Sequence, residues 1–173
     1  MDIWQQVADR WTEVYAQVRD DQWDNQTPCA DWTVRELVDH LQWHGQALRM
    51  LGADTTRDDG WAEIRSALDS VLADPSKLAG DTPEFGGMPK PGLASFLIGD
   101  RLIHTWDLAR SIGVDDTLPP DAVAATMAGL HHAPSEFLRN PNPLGIRMMG
   151  QPVDVPADAS DQDKMLAFAG RRP

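Results

Sequence analysis

The chain has 173 residues, and 15 Lys+Arg against 27 Asp+Glu give it a formal net charge of −12 at pH 7. This length predicts one domain over residues 1–173, and the negative charge argues against a nucleic-acid partner because phosphate backbones would be repelled. The single cysteine, Cys29, cannot form an internal disulfide. Neither a signal peptide nor a run of about 18 apolar residues is visible. We therefore expect a cytoplasmic protein without a membrane partner.

Apolar residues spaced three and four apart predict the helices in the first half of the chain. The first helix is expected over 2–19, and the second over 33–52, where a T-x-x-E capping box marks its start. A third helix is predicted over about 60–73. Residues 75–92 are rich in proline and glycine, which indicates an irregular connection that could contain a short hairpin.

The second half of the chain continues the helical pattern. A long helix is predicted near 91–113, and another from the prolines at 119–120 to about 133. Residues 134–157 are rich in Pro, Asn and Gly, and their QPVDV segment could form a strand. A last helix is expected between Ser160 as its cap and Gly170. The predicted fold is therefore mainly α, a four-helix bundle with extra short helices.

Three ionisable residues lie on the apolar face of the helix predicted near 91–113. They are Asp100, His104 and Asp107. These residues need partners, because burying a carboxylate without one costs several kcal/mol. Asp100 and His104 are four residues apart, so they are neighbours on that face and could share one divalent ion. The alternative is an Asp–His hydrogen bond within a bundle that binds no metal. Asp107 could hold the other ring nitrogen of His104 or pair with Arg110, and Arg101 is expected at the surface or an interface.

The second predicted helix offers two histidines, His40 and His44, again four residues apart. A metal site inside a bundle needs a ligand from a second helix, and either histidine could supply it. The helical spacing places His44 nearer the centre of the apolar face and His40 at its edge, so spacing alone does not choose between them. An inward-facing histidine can also be an ordinary core residue whose hydrogen bonds are satisfied.

Three segments together resemble a known family: TPCADWTVRELVDHL, HTWDLARSIG and VPADASDQDKMLAFAGRRP. The chain resembles the metal-binding domain at the N-terminus of mycothiol-dependent maleylpyruvate isomerase, in the DinB/YfiT-like superfamily. It is most similar to a short, uncharacterised actinobacterial branch that ends in a GR-x-P tail. The resemblance covers nearly the whole chain, and it implies an up-down four-helix bundle with a long connection between the second and third bundle helices.

The same resemblance implies a metal site. Members typically bind zinc, or sometimes nickel, through a histidine of the second helix and an acidic residue and histidine four apart in a later helix. The matching residues here are His40, Asp100 and His104, with His44 and Asp107 as alternative or supporting groups. Asp100 stands where the isomerase has Glu. The isomerase's further C-terminal domain has no counterpart after Gly150, so isomerisation of maleylpyruvate itself is not expected.

Three nitrogen and oxygen ligands leave a coordination position open, which is typical of catalytic metal sites. The resemblance therefore implies a metal-dependent enzyme that activates a small thiol such as mycothiol for attack on an electrophile, as a transferase or isomerase. The alternatives are a metal-dependent hydrolase and a non-catalytic, stress-associated metal-binding bundle. Bundles of this superfamily often dimerise, so a homodimer is a further expectation.

Overall fold

The computed structural model describes residues 2–29, 32–56, 58–140 and 148–173, and within these ranges the protein is mainly helical. Two short strands form an antiparallel hairpin, and single 3-10 turns occur at Asp20–Gln22, Pro75–Leu78 and Pro83–Phe85. The prediction of a mainly α bundle with a small hairpin is confirmed. The elements are α1 (Ile3–Tyr15), α2 (Val34–Leu41), α3 (Trp43–Met50), α4 (Trp61–Leu72), β1 (Asp81–Thr82), β2 (Met88–Pro89), α5 (Lys90–Ile112), α6 (Pro120–His132), α7 (Ser135–Arg139) and α8 (Asp161–Phe168).

Helix α5 is the centre of the bundle. It packs against α1, α2, α3 and α6, while α1 also contacts α6 and α8 covers α6. Gly99 permits the close approach of α5 to α6, because a Cβ there would lie 3.1 Å from the Thr126 side chain. A long connection precedes α5, as the family resemblance implies, and it contains the predicted helix α4 and the hairpin. Among the described residues no helix combines the length and apolarity needed to cross a membrane.

The second predicted helix is divided into α2 and α3 at Gln42. The capping box at its start is present, since Glu36 accepts from the Thr33 backbone N–H at 2.8 Å and Thr33 Oγ1 accepts from the Glu36 N–H at 3.4 Å. At the break, the Gln42 N–H donates to the Asp39 carbonyl three residues back, a tighter turn than the α-helix. The break places the two candidate histidines on different helices.

Two other boundaries differ from the prediction. Helix α1 ends at Tyr15 instead of residue 19, because the chain turns there into the loop before α2. The strand expected at QPVDV was wrong: the Val153 N–H donates to the Ala167 carbonyl at 2.9 Å, so this segment docks on the end of α8 and has no sheet partner among the described residues. Part of the predicted irregular region, residues 141–147, lies outside the described residues.

The C-terminal tail folds back into the protein. Ser160 caps α8, accepting from the Asp163 N–H at 3.0 Å. Gly170 then adopts a φ of +87°, and a Cβ at this position would lie 2.8 Å from the Cα of Gly150. A side chain would therefore be strained there and would collide with backbone. This turn directs Arg171 inward, where it is 9% exposed.

Candidate metal centre

Three side chains from two helices converge beside the middle of α5. His40 comes from the last turn of α2, and Asp100 and His104 come from successive turns of α5. One ligand atom of each lies within 4.8 Å of the others. His40 Nε2 is 3.8 Å from Asp100 Oδ2, and His104 Nε2 is 3.6 Å from Asp100 Oδ1. The carboxylate therefore presents one oxygen to each imidazole, at distances longer than a hydrogen bond.

The other ring nitrogen of His104 is held by Asp107. His104 Nδ1 lies 2.8 Å from Asp107 Oδ2, and the carboxylate is fully buried. Arg171 grips the same carboxylate with two nitrogens, Nε at 3.0 Å from Oδ1 and Nη2 at 2.7 Å from Oδ2. The bidentate ion pair keeps Asp107 ionised and in a fixed orientation. The C-terminal arginine thus reaches the cluster through Asp107 and His104.

This arrangement sets the tautomer of His104. An ionised Asp107 can only accept, so His104 donates through Nδ1 and its Nε2 carries a lone pair when the ring is neutral. That lone pair faces the Asp100 carboxylate, which is itself an acceptor. Two acceptors at 3.6 Å repel each other unless a cation or a proton lies between them. The geometry of these two residues is thus suited to a positively charged ligand.

His44, the alternative histidine, has a different environment. Its Nε2 donates to Asp100 Oδ2 at 3.0 Å, and its Nδ1 accepts from Arg101 Nη2 at 3.2 Å. Both ring nitrogens are therefore engaged within the protein. Burial, followed by the nearby Arg101 charge, lowers the pKa of His44 to about 4, so the ring is neutral near pH 7. In this arrangement His44 orients Asp100 and has no lone pair left for an ion.

Both buried carboxylates are ionised. Burial on its own raises the pKa of Asp100, but the contacts with His104, His40 and His44 outweigh it and lower the pKa well below its usual value. Burial also opposes ionisation of Asp107, whose pKa is nevertheless lowered by the hydrogen bond from His104 and the Arg171 ion pair. An ionised Asp100 carboxylate is in the protonation state that metal ligation requires.

The cluster is open on the side of His40. The exposed fraction of the side chain falls from 27% for His40 to 12% for Asp100 and 6% for His104. Two half-buried indoles flank this opening: the Trp32 ring lies 4.2 Å from the His40 ring, and Trp43 lies 6.2 Å from it. A ligand would therefore reach the cluster past His40 and along aromatic surface.

Two arginines are placed differently from the sequence-based expectation. Arg101 was expected at the surface or an interface, but it is only 2% exposed, because its guanidinium enters the space between Trp11 and Trp61. Arg171 was not identified as a site residue. The only signal in the sequence was its position after Gly170, where a glycine turn following a capped helix can direct the next side chain inward. Arg110, the other candidate partner of Asp107, pairs with Asp116 at 3.1 Å instead.

Comparison with known proteins agrees with the resemblance inferred from the sequence. Residues 4–84 match the family model described as mycothiol maleylpyruvate isomerase N-terminal domain, which supports the suspected family. Two uncharacterized proteins of Mycobacterium tuberculosis, from strains CDC 1551 / Oshkosh and ATCC 25618 / H37Rv, are each 24% identical to this chain over 176 residues. The alignments cover 96% of this chain and 94% of each relative. No solved structure gives a significant match.

Proposed function

We propose that His40, Asp100 and His104 bind one divalent metal ion, zinc in the first place and nickel as the alternative, in an enzyme that activates a small thiol. The observation that carries this proposal is the set of three ligand atoms within 4.8 Å of one another. Two imidazoles and a carboxylate are a donor set that zinc accepts, and three protein ligands are typical of catalytic zinc sites. His44 and Asp107 are proposed as groups that orient these ligands.

Each surrounding residue has a defined task in this proposal. Asp107, held by Arg171, keeps the Nε2 lone pair of His104 directed at the cluster. His44 donates to one oxygen of Asp100 and so limits the rotation of the carboxylate. A divalent ion bound there would stabilise a thiol as its thiolate, or lower the pKa of a water. The orientation of Asp100 and His104 is thus fixed by the protein before any ion arrives.

The family match and the opening beside His40 support a thiol as the substrate. The description of the matching family names mycothiol, which is a low-molecular-weight thiol, and an isomerase. The exposed edge of His40 gives such a molecule a route to the cluster, and the indoles of Trp32 and Trp43 offer apolar contact area to the electrophile that the thiol attacks. We therefore propose thiol-dependent transfer or isomerisation as the reaction class, in the reducing cytoplasm. The homodimer stays a prediction.

Thiol binding can be tested with cobalt in place of zinc. The protein would be stripped with a chelator, reloaded with one equivalent of Co²⁺ and titrated with mycothiol, and the thiolate-to-cobalt absorption would be recorded. We expect a saturable band in the wild type and none in His104→Ala. His131→Ala is the matched control, because His131 is exposed on α6 and is not a member of the cluster.

The same titration separates the parts of the proposal. A wild type that binds cobalt but shows no thiolate band, and no turnover of mycothiol with generic electrophiles, would contradict the thiol-dependent enzyme and leave a metal-binding bundle. A band that persists in His104→Ala would contradict the assignment of the ligands.

A further inference from the structure

Four aromatic side chains form a continuous cluster beside the candidate metal centre. Trp43 comes from α3, Phe85 from the 3-10 turn between β1 and β2, Phe96 from α5 and Phe137 from α7. The ring pairs that join them have centres 5.9 to 6.4 Å apart, so each ring contacts at least two of the others. We call these four residues the aromatic wall.

The aromatic wall is adjacent to the metal cluster. Phe96 and Asp100 are four residues apart in α5, so their side chains are neighbours on one face of the helix. The Trp43 ring lies 5.1 Å from the His44 ring and 6.2 Å from that of His40. A molecule held at the cluster would therefore have the wall within reach.

The rings of the wall are packed on the core without being enclosed by it. All four residues are half-buried, so each keeps part of its surface accessible. Single apolar residues at a surface are ordinary, whereas contiguous accessible apolar surface marks a place where something binds. Aromatic rings also offer a flat partner a large contact area and favourable ring–ring geometry. The wall is thus suited to a flat, apolar group.

The two arginines that contact residues around the cluster are both engaged. Arg101 is directed between two indoles outside the wall, and Asp100 provides its counter-charge. Arg171 is held by the Asp107 carboxylate. Within the described residues, no arginine or lysine lies over a ring of the wall. An anionic group at the wall would therefore gain no ion pair from these side chains.

The overall charge also disfavours an anionic group at this place. The chain has a formal net charge of −12 at pH 7, which repels anions. At the cluster itself, the two positive charges of the proposed ion would be balanced by Asp100 and a bound thiolate. A carboxylate on the electrophile would thus lose hydration against the aromatic rings without a compensating partner.

We propose that the aromatic wall binds an uncharged aromatic group of the electrophile and so selects the substrate of the thiol-dependent reaction. This inference rests on the proposed function and names the class of its second substrate. The ring of the electrophile packs against Trp43 and Phe96, next to the cluster, and Phe85 and Phe137 extend the contact for a larger group. Aliphatic and anionic electrophiles use this surface poorly.

Ring binding is tested without metal or thiol, by NMR titration of the whole chain with 2-naphthamide, which is flat and uncharged. We expect saturable shifts of the Trp43 and Phe96 ring signals. Butanamide, which has the same amide group but no ring, should leave these signals in place. The signals of Trp23, a half-buried indole outside the wall, are the internal control for unspecific binding.

Two conservative variants locate the contacts. Phe96→Leu and Phe137→Leu keep an apolar side chain but remove the flat ring, so each should weaken 2-naphthamide binding about two- to tenfold, the scale of a ring–ring contact. The two positions lie on different helices, so one variant provides the test if the other does not fold. Trp23→Leu is the matched control and should keep the wild-type affinity.

The substrate class is tested by turnover of zinc-loaded protein with mycothiol and two benzyl chlorides. 4-Nitrobenzyl chloride is uncharged, and 4-(chloromethyl)benzoate carries a carboxylate. In both, the thiolate sulfur forms a bond to the benzylic carbon, chloride leaves, and the thiol proton passes to the buffer. With each rate divided by its uncatalysed rate, kcat/KM should favour the uncharged chloride about tenfold or more. Phe137→Leu should raise its KM with little change in kcat.

The two experiments fail separately. Saturable 2-naphthamide binding without any turnover would support the wall and contradict the thiol-dependent enzyme. Turnover with unchanged Trp43 and Phe96 signals, or with wild-type 2-naphthamide affinity in both leucine variants, would overturn the wall. Equal shifts with butanamide or at Trp23 would contradict specific ring binding. A preference for the carboxylate would contradict an uncharged substrate.

Discussion

Asp100 and Arg101 are consecutive residues of α5, yet they lie in opposite kinds of polar site. Around Asp100 the chain supplies a partner for each charged group, ending in the ion pair of Asp107 with Arg171. Around Arg101 it supplies two indole faces, and no residue in the described ranges accepts from Nε. Because successive helical residues point about 100° apart, one turn of helix can serve both sites. The difference shows that one helix presents a carboxylate to histidines and, one residue later, a guanidinium to aromatic rings.

Removal of Asp107 is expected to lower the stability of the protein more than any other change near the metal cluster. In Asp107→Ala the Arg171 guanidinium stays buried without its carboxylate, and we expect the free energy of unfolding to fall by about 3–5 kcal/mol. Urea unfolding would measure it. Asp116→Ala is the matched control, because Asp116 pairs with Arg110 at the surface, where such a pair contributes about 0–1 kcal/mol. Equal losses in the two variants would contradict a special role for the buried pair.

His44 contacts both Asp100 and Arg101, and its lowered pKa predicts that the stability of the protein depends on pH. The pKa of His44 falls from 6.5 to about 4 on folding, so between these values the unfolded chain binds a proton that the folded chain does not. The free energy of unfolding therefore decreases as the pH falls from about 6.5 to about 4, by on the order of 3 kcal/mol. Asp100 and Asp107, also with lowered pKa values, lose their contribution mainly below this range.

His44→Gln is the variant that checks this dependence. Glutamine can still donate to Asp100 and accept from Arg101, but it does not titrate. The free energy of unfolding should therefore fall less between pH 6.5 and pH 4 than in the wild type, by a difference on the order of 3 kcal/mol. Denaturant unfolding of the metal-free protein at several pH values would measure it. His131→Gln, an exposed histidine, should keep the wild-type slope. A wild-type slope in His44→Gln would contradict a neutral, buried His44.

Arg171, which reaches the cluster through Asp107 and His104, can be tested by its effect on metal affinity. We expect Arg171→Met to weaken zinc binding about ten- to a hundredfold, since groups that orient a ligand typically have effects of this size. Arg172→Met is the matched control, because Arg172 is the exposed neighbour in the same tail. Calorimetric titration on folded samples would compare them. Equal zinc affinity in both variants would show that the tail does not act on His104.

The smallest effect is expected at the start of helix α2. This helix carries His40 to the cluster, and Thr33 caps its start. Thr33→Ala should lower the free energy of unfolding by about 1 kcal/mol, the usual contribution of a capping residue. Thermal unfolding would measure this loss, and Thr33→Ser, which keeps the hydroxyl, should restore most of it. No loss in Thr33→Ala would mean that α2 is held by packing alone.

The sequence predicts the parts of the fold and site that depend on local spacing. The apolar repeat indicates the main helices, and the four-residue spacing places Asp100 and His104 on one face. The break at Gln42 was not predictable, because the apolar repeat continues through it while the hydrogen bonds tighten. The inward positions of Arg101 and Arg171 depend on contacts with residues far along the chain, Trp11 for one and Asp107 for the other. Such contacts leave no periodic signal.

The choice between His40 and His44 illustrates the same limit. Spacing places His44 nearer the apolar face, and His44 is indeed the more buried of the two. Burial brings it to Asp100 and Arg101, which occupy both its ring nitrogens. His40, at the edge of the face, keeps an accessible position beside Asp100 and is the one we propose as a ligand. A metal ligand at an open site has to be accessible to the ion, so the most buried histidine is not the best candidate.

The most direct test of the proposed metal centre is the zinc stoichiometry of chelator-stripped protein, measured by calorimetric titration of the wild type, His104→Ala and His44→Gln. We expect one zinc ion per wild-type chain, loss of binding in His104→Ala, and retained binding in His44→Gln, because His44 orients Asp100 without ligating. A wild type that binds neither zinc nor nickel would contradict the proposed metal centre, and Asp100 would then be a buried partner of three histidines only. Binding that survives in His104→Ala and disappears in His44→Gln would contradict the choice of His40 over His44.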